Sequence, residues 1–244
     1  MEIGVYCTSI RPHLWGDLFE SLSKNDVDYN ICMAGPCPPI EPLPGNVKYI
    51  QTNVKPPQCW FIAANNTKGD YVINITDDAR FSPGCLDSLL NIIQKEKKVI
   101  VSPTYINAEN PYQLVLEWID GKPSKFIQLV SPCPIYGLMK REDFNSTGID
   151  KSFIGAWWDT DQALEFISNG GKTVIDDKST STDIKSFETC HLALLNCGDY
   201  DNLLNIWTND RKTLRSQRLT PIDKLIYDDT VLTVSQGPKL VFWD

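Results

Sequence analysis

Along the chain, short apolar runs alternate with helix-spaced apolar residues, and polar, Gly- or Pro-rich breaks separate them. Residues 2–8 (EIGVYCT) form an apolar run that reads as a strand and stops before Arg11-Pro12. Residues 13–23 follow with Leu14, Leu18 and Leu22 at four-residue spacing, one face of an amphipathic helix. A second strand over 29–34 ends in Gly35-Pro36-Cys37-Pro38-Pro39, a stretch too proline-rich for regular structure. A third strand spans 47–52. Pro56-Pro57 then opens a helix running to about Lys68, with proline at the first turn, where its missing N–H costs nothing. Gly69-Asp70 turns into a fourth strand over 71–75, Ser82-Pro83 starts a helix through Leu86, Leu89, Leu90 and Ile93, and residues 98–101 make a fifth strand.

The second half is less regular. Strands are predicted over 125–130 and 135–139, and a short helix from Arg141 to about Thr147. Residues 155–169 carry a helix that packs Ala163, Leu164, Phe166 and Ile167, followed by a strand over 172–175. A longer helix over 199–218 turns Leu203, Leu204, Trp207 and Leu214 inward and Arg211, Lys212, Arg215 and Arg218 outward. From Pro221 an extended tail ends in Val241-Phe242-Trp243. The strand and helix alternation predicts an α/β fold with a mostly parallel central sheet flanked by helices. Open sheets of this kind bind ligands outside the carboxyl ends of their strands. Attention therefore falls on Thr8, Ser9, Ile10 and Arg11, and on Thr76, Asp77 and Asp78.

Composition narrows the function. The 244 residues are 42% hydrophobic and 22% charged, ordinary globular values for a chain able to bury one large core. A net charge of −8 argues against a nucleic-acid partner, because a phosphate-binding surface would work against the overall field. An acidic protein can still take a nucleotide when a divalent cation mediates. Eight cysteines are scattered without a CxxC pair, which predicts free thiols in a reducing compartment. No signal peptide is visible, and the longest uncharged stretch, 126–139, is short and holds two prolines, so no membrane span is expected. The sequons at Asn65, Asn74 and Asn145 then have no secretory context. The expectation is a soluble, cytoplasmic protein.

The sharpest chemical signal is Gly69-Asp70-Tyr71-Val72-Ile73-Asn74-Ile75-Thr76-Asp77-Asp78, a buried strand delivering two adjacent carboxylates to its carboxyl end. Carboxylates there can hold a hard cation beside a diphosphate. They can equally open the turn before Ser82-Pro83. From Glu2 to about Arg218 the chain resembles the GT-A glycosyltransferases, particularly the inverting family-2-like members. In these a G-D-Y-strand-D-x-D element ends the nucleotide-binding half, and T-D-D is a variant of it. Gly148-Ile149-Asp150-Lys151-Ser152-Phe153, then Trp157-Trp158-Asp159-Thr160-Asp161 and Gly170-Gly171, resemble the family's G-F-D-x-x-F…E-D-x-D-L…G segment.

The resemblance implies a GT-A domain over 1–220, with a nucleotide-binding half at 1–103 and an acceptor half at 104–220, and a C-terminal extension at 221–244. It makes Asp159 the catalytic base, standing before a helix for which it could also be the N-cap. Trp158 stands where the family usually has glutamate. Asp78 and His191 become ligands of Mn²⁺ (or Mg²⁺), and Thr8, Ser9, Arg11, Thr76 and Asp77 nucleotide contacts. Two departures accompany this. The second strand ends without the family's base-binding aspartate, and Cys59-Trp60-Phe61 replaces an arginine-asparagine pair, for which Lys55 or Gln58 would substitute. Trp157 and Trp158 offer an aromatic platform for the acceptor, one of the two being expected in the core. The implied activity is transfer of a hexosyl or deoxyhexosyl group from a nucleotide-diphosphate donor, a UDP-sugar first, to a glycan or glycoprotein hydroxyl in glycan biosynthesis. A nucleotidyltransferase shares the architecture but would usually show a glycine-rich loop after the first strand, which Cys7 to Pro12 lacks. A non-catalytic carbohydrate-binding module would have little need of both Asp78 and Asp159.

Overall fold

A computed structural model describes residues 1–106, 118–119, 122–123, 134–150, 152–155, 157–184, 198–208 and 218–219. The strands are β1 (Glu2–Thr8), β2 (Asp28–Gly35), β3 (Val47–Gln51), β4 (Tyr71–Thr76), β5 (Ala79–Phe81), β6 (Val99–Tyr105), β7 (Trp118–Ile119), β8 (Lys122–Pro123), β9 (Leu138–Lys140), β10 (Ile149–Asp150), β11 (Lys172–Asp183) and β12 (Arg218–Leu219). The α-helices are α1 (Trp15–Leu22), α2 (Pro56–Asn65), α3 (Cys85–Ile93), α4 (Arg141–Thr147), α5 (Trp158–Ser168) and α6 (Asp199–Thr208), and a 3₁₀ turn, Pro12–Leu14, leads into α1.

Eight strands form one sheet in the order β3-β2-β1-β4-β9-β6-β11-β5. The pairs β3-β2, β2-β1, β1-β4 and β6-β11 are parallel, whereas β9 is antiparallel to β4 and β6, and β5 to β11. Strands β1, β2, β4, β6 and β9 place apolar residues in the cores on both faces, as a doubly covered sheet requires. In β1, Ile3, Val5 and Cys7 pack with α1 and α3, while Tyr6 points to the opposite core. That second core gathers Phe61 and Ile62 of α2, Phe144 of α4, Trp158 and Phe166 of α5, and Leu203 and Ile206 of α6. The α/β architecture expected from the alternation is the one observed.

Its details differ from the sequence reading where hydrophobic pattern carries little information. Strand β5 has three residues and follows Asp78 at once, so it reads as a turn. Strand β11 runs on to Asp183, eight residues beyond the predicted end, because its buried positions there are Asp176, Ser179 and Ser181. A register shift between Asp176 and Thr180 breaks its periodicity further. The strand predicted over 135–139 is β9, displaced to 138–140 by a turn in which Tyr136 takes a left-handed φ of 56°. The helix predicted over 199–218 is described only to Thr208, and Arg218–Leu219 pairs with Ile149–Asp150 as a strand. The strand predicted over 125–130 and the tail from 221 lie outside the described residues.

The amino end of β4 is stapled by Arg141. Its Nε donates to the Gly69 carbonyl at 2.6 Å, Nη1 to the Ala64 carbonyl at 3.0 Å and Nη2 to Thr67 Oγ1 at 3.0 Å. One cation thus joins the Thr67 hydroxyl at the Ala64 carbonyl in the last turn of α2 and fixes the entry to β4. Gly69 has φ 102°, and a Cβ there would overlap the Glu2 carbonyl. Cys7, Cys32, Cys37, Cys59 and Cys85 are unpaired. No described helix is long and apolar enough to cross a membrane.

Candidate active site at the carboxyl end of the sheet

Strands β1 and β4 are parallel neighbours in register, Thr8 beside Thr76, so the loops that follow them leave the sheet at one level. Asp77, 1% exposed, is where they join. Its Oδ2 accepts hydrogen bonds from Ser9 Oγ (2.7 Å), the Ile10 N–H (2.9 Å) and the Arg11 N–H (2.7 Å). Its Oδ1 accepts from Arg11 Nε (2.8 Å) and Nη2 (2.5 Å). Trp15 Nε1 donates to Ser9 Oγ at 2.6 Å, and the Ser9 N–H reaches the Ala34 carbonyl at 2.9 Å. Gly35 permits that approach, since a Cβ there would sit on the Ser9 carbonyl oxygen. Asp77, expected as a nucleotide contact, holds the chain's own loop with both oxygens and so shapes the surface that Ser9, Ile10 and Arg11 present.

Asp78 sits one residue on with different partners. Its Oδ2 lies 2.7 Å from Arg11 Nη1, with both side chains nearly buried. Burial works against the Arg11 charge, but Asp77 and Asp78 outweigh it and hold the guanidinium above its usual pKa. Burial pushes the Asp78 carboxyl up, Asp183 adds to this, and Arg11 opposes it. Asp183 ends β11 opposite Ala79, and the Ile184 N–H bonds to the Asp78 carbonyl at 2.9 Å. Tyr105 OH donates to Asp183 Oδ2 at 2.6 Å and Tyr136 OH to Oδ1, while Thr76 Oγ1 lies 2.6 Å from Tyr136 OH. The sequence reading missed Asp183. Its one local sign is the period-two Ser-Thr-Ser-Thr run before it, a β-branched alternation without apolar residues.

Other expected residues are distributed around this centre. Thr8 neighbours the Cys59 thiol, which burial pushes up to about 12 with the Thr8 hydroxyl opposing. Lys55 and Gln58 stand at the start of α2, where Gln58 Oε1 accepts the Lys55 N–H at 3.3 Å. Pro56 and Pro57 carry no N–H, so this helix end offers few donors to an anion. Trp158 is 2% exposed and packs against Trp60, with ring centroids 4.7 Å apart and the planes tilted by 39°, a core position. Trp157 is half-buried at the preceding residue, with a left-handed φ of 64°. Asp159 is the second residue of α5, not its N-cap, and its Oδ1 accepts the Thr160 N–H at 2.8 Å. Burial raises its pKa, and its charge in turn lifts the Tyr6 phenol, itself raised chiefly by burial. Asp161 is fully buried on another side of the helix. The segment before α5 hangs on Asp199 of α6, which accepts the Ile154 N–H at 2.9 Å and the Gly155 N–H at 2.7 Å. His191, Arg211, Lys212 and Arg215 lie outside the described residues.

A divalent cation suits the donor set at Asp78. Hard carboxylate oxygens of Asp78 and Asp183 match Mg²⁺ or Mn²⁺, which take few protein ligands and fill their shells with phosphate oxygens and water. Among the described residues no three His, Cys, Asp or Glu side chains converge, so these residues supply at most a partial shell there.

Residues 39–148 match the family model for glycosyl transferase family 2, a span that includes Thr76, Asp77 and Asp78. The fold is shared with S. aureus TarS 1-349 at a TM-score of 0.56 and 12% identity, over 93% of this chain and 78% of that one. The complex of TarS 1-349 with UDP-GlcNAc gives the same TM-score over 93% and 76% of the two chains, again at 12% identity. Against the longer TarS structure, 93% of this chain spans 47% of that chain, at 12% identity and a TM-score of 0.56. No curated protein sequence matches the chain. The sheet and its helices thus have the GT-A glycosyltransferase fold, and the chain is similar to the family 2 transferases in the segment that carries its paired aspartates.

Proposed function

We propose that this protein transfers a sugar from a nucleoside diphosphate donor, a UDP-sugar first, to a hydroxyl of a glycan or glycoprotein, with inversion at the anomeric carbon. The observation that carries the reading is the joining of the β1 and β4 loops on Asp77 at the carboxyl end of the sheet. The same fold occurs in TarS structures solved with UDP and with UDP-GlcNAc. In this reading the nucleotide lies against Thr8, Ser9, Arg11 and Thr76, with Lys55 and Gln58 at its edge, and Asp77 acts through the loop it holds. Asp78 and His191 are the residues that would hold Mn²⁺ or Mg²⁺, which when bound would stabilise charge on the leaving diphosphate.

Asp159 is the base. Its carboxylate takes the acceptor hydroxyl proton as that oxygen bonds to the anomeric carbon, while the bond to the diphosphate breaks and the diphosphate leaves with the electron pair. A carboxyl raised by burial is a stronger base than an exposed one, which suits this step. Trp157 lines the acceptor side with Trp158 beneath it. The setting is glycan biosynthesis in the cytoplasm. The test is a screen of nucleotide sugars for donor hydrolysis and transfer with and without Mn²⁺, with NMR of the product's anomeric configuration. Mn²⁺-dependent turnover of a UDP-sugar with inversion is expected, and retention of configuration would remove Asp159 as base of a single displacement.

A further inference from the structure

We propose that Arg11 is a built-in counter-cation on Asp78, which keeps a divalent ion off the empty site, so that ion and nucleotide diphosphate enter together. This rests on the cation reading of Asp78 given above. Arg11 is 8% exposed, and its guanidinium spans both aspartates: Nε and Nη2 lie on Asp77 Oδ1 at 2.8 and 2.5 Å, and Nη1 on Asp78 Oδ2 at 2.7 Å. The contact to Asp78 is not needed to shape the loop. Asp77 is already met by Ser9 Oγ and the N–H groups of Ile10 and Arg11, besides the two guanidinium nitrogens. The contact between Nη1 and Asp78 is therefore one that can be released while the bonds to Asp77 are kept.

A metal ion and Nη1 compete for the negative charge of the same carboxylate. The pair is nearly buried, where charges act on one another more strongly than in water. A guanidinium is weakly hydrated and always charged, whereas Mg²⁺ and Mn²⁺ must first shed tightly held water. On the empty site Arg11 wins. A diphosphate changes both sides of the competition. Its negative charge draws the ion onto Asp78 and gives Nη1 phosphate oxygens to pair with instead. By linkage, the nucleotide then strengthens ion binding by the factor the ion strengthens nucleotide binding.

The test is Mn²⁺ binding to the full chain, followed by calorimetry and by the EPR signal of free Mn²⁺, without and with UDP. Wild type should bind Mn²⁺ alone weakly. Arg11→Gln should bind it at least tenfold more tightly, with a correspondingly smaller gain on adding UDP. Asp78→Asn should lose binding in both conditions. If Arg11→Gln does not fold, Arg11→Lys serves, because one ammonium cannot span both carboxylates; it should bind Mn²⁺ alone at least threefold more tightly than wild type. Equal Mn²⁺ affinity in wild type and the Arg11 variants, with UDP still raising it in all, overturns the inference and leaves the transferase reading standing. Absence of Mn²⁺ binding in every protein, even with UDP, defeats the cation site itself and the inference with it.

Discussion

Asp77 and Asp78 adjoin in sequence yet meet different partners, and substitution should separate them. Asp77→Asn keeps the size but turns an amide N–H₂ toward donors that need an acceptor. Breaking such a buried pair costs about 3–5 kcal/mol, so urea unfolding should show a large loss of stability. Asp78→Asn leaves Arg11 paired with Asp77, so its melting temperature should stay near wild type while Mn²⁺-dependent UDP binding disappears. A melting temperature that falls as far as that of Asp77→Asn would make Asp78 a structural residue. At Asp159, asparagine can still accept the Thr160 N–H but cannot take a proton. Asp159→Asn should lower kcat by roughly 10²–10⁴ with unchanged stability and UDP affinity. The base must be ionised to act and burial raises its pKa, so kcat should fall with acidification at a pH above the ordinary carboxyl value of about 4. An acid limb that persists in Asp159→Asn would assign that titration to another group.

Among the elements, β4 carries the site at one end and its fixings at the other. Arg141 and Gly69 hold the amino end, against the Ala64 carbonyl and the start of β1. Arg141→Ala removes hydrogen bonds worth about 1 kcal/mol each and leaves the Ala64 and Gly69 carbonyls without that donor. A loss of about 2–4 kcal/mol is expected in urea unfolding, with turnover per folded molecule preserved because the site is at the opposite end of the strand. A selective fall in kcat without loss of stability would show that the strand transmits strain to Asp77 and Asp78. Helix α2 shows a similar division of labour. Pro56-Pro57 starts it cleanly but removes donors from its amino end, so charge at the site rests on side chains more than on this helix terminus.

For the molecule as a whole, ligand binding should register as stability. A ligand at 100 times its Kd adds about 2.7 kcal/mol to the native state. With about 2–4 °C per kcal/mol for a domain of this size, UDP with Mn²⁺ should raise the melting temperature by roughly 5–10 °C. UDP without metal, or Mn²⁺ without UDP, should give much smaller shifts. Equal stabilisation by UDP with and without Mn²⁺ would separate nucleotide binding from the cation. The net charge of −8 makes a cation between acidic protein and acidic ligand the simplest way to bring them together.

What the sequence by itself determined is the layered α/β fold and the carboxyl end of β4 as the place to look. Strands that are apolar on both faces, as β1 and β4 are, can be buried only between two layers of helices, and that information is local. Tertiary structure alone decided what each polar residue at that end does. Asp77 and Asp78 look alike in the chain, and only the register of β1 beside β4 puts the donors of residues 9–11 on one and Arg11 Nη1 on the other. Asp183 reaches the site from the far end of a strand whose buried positions are polar, so no hydrophobic period announces it. Trp158 and Trp157 are neighbours in sequence, and packing against Trp60 settled which enters the core. Apolar burial follows a repeat that can be read along the chain, whereas a polar contact depends on which distant loop the fold brings to it.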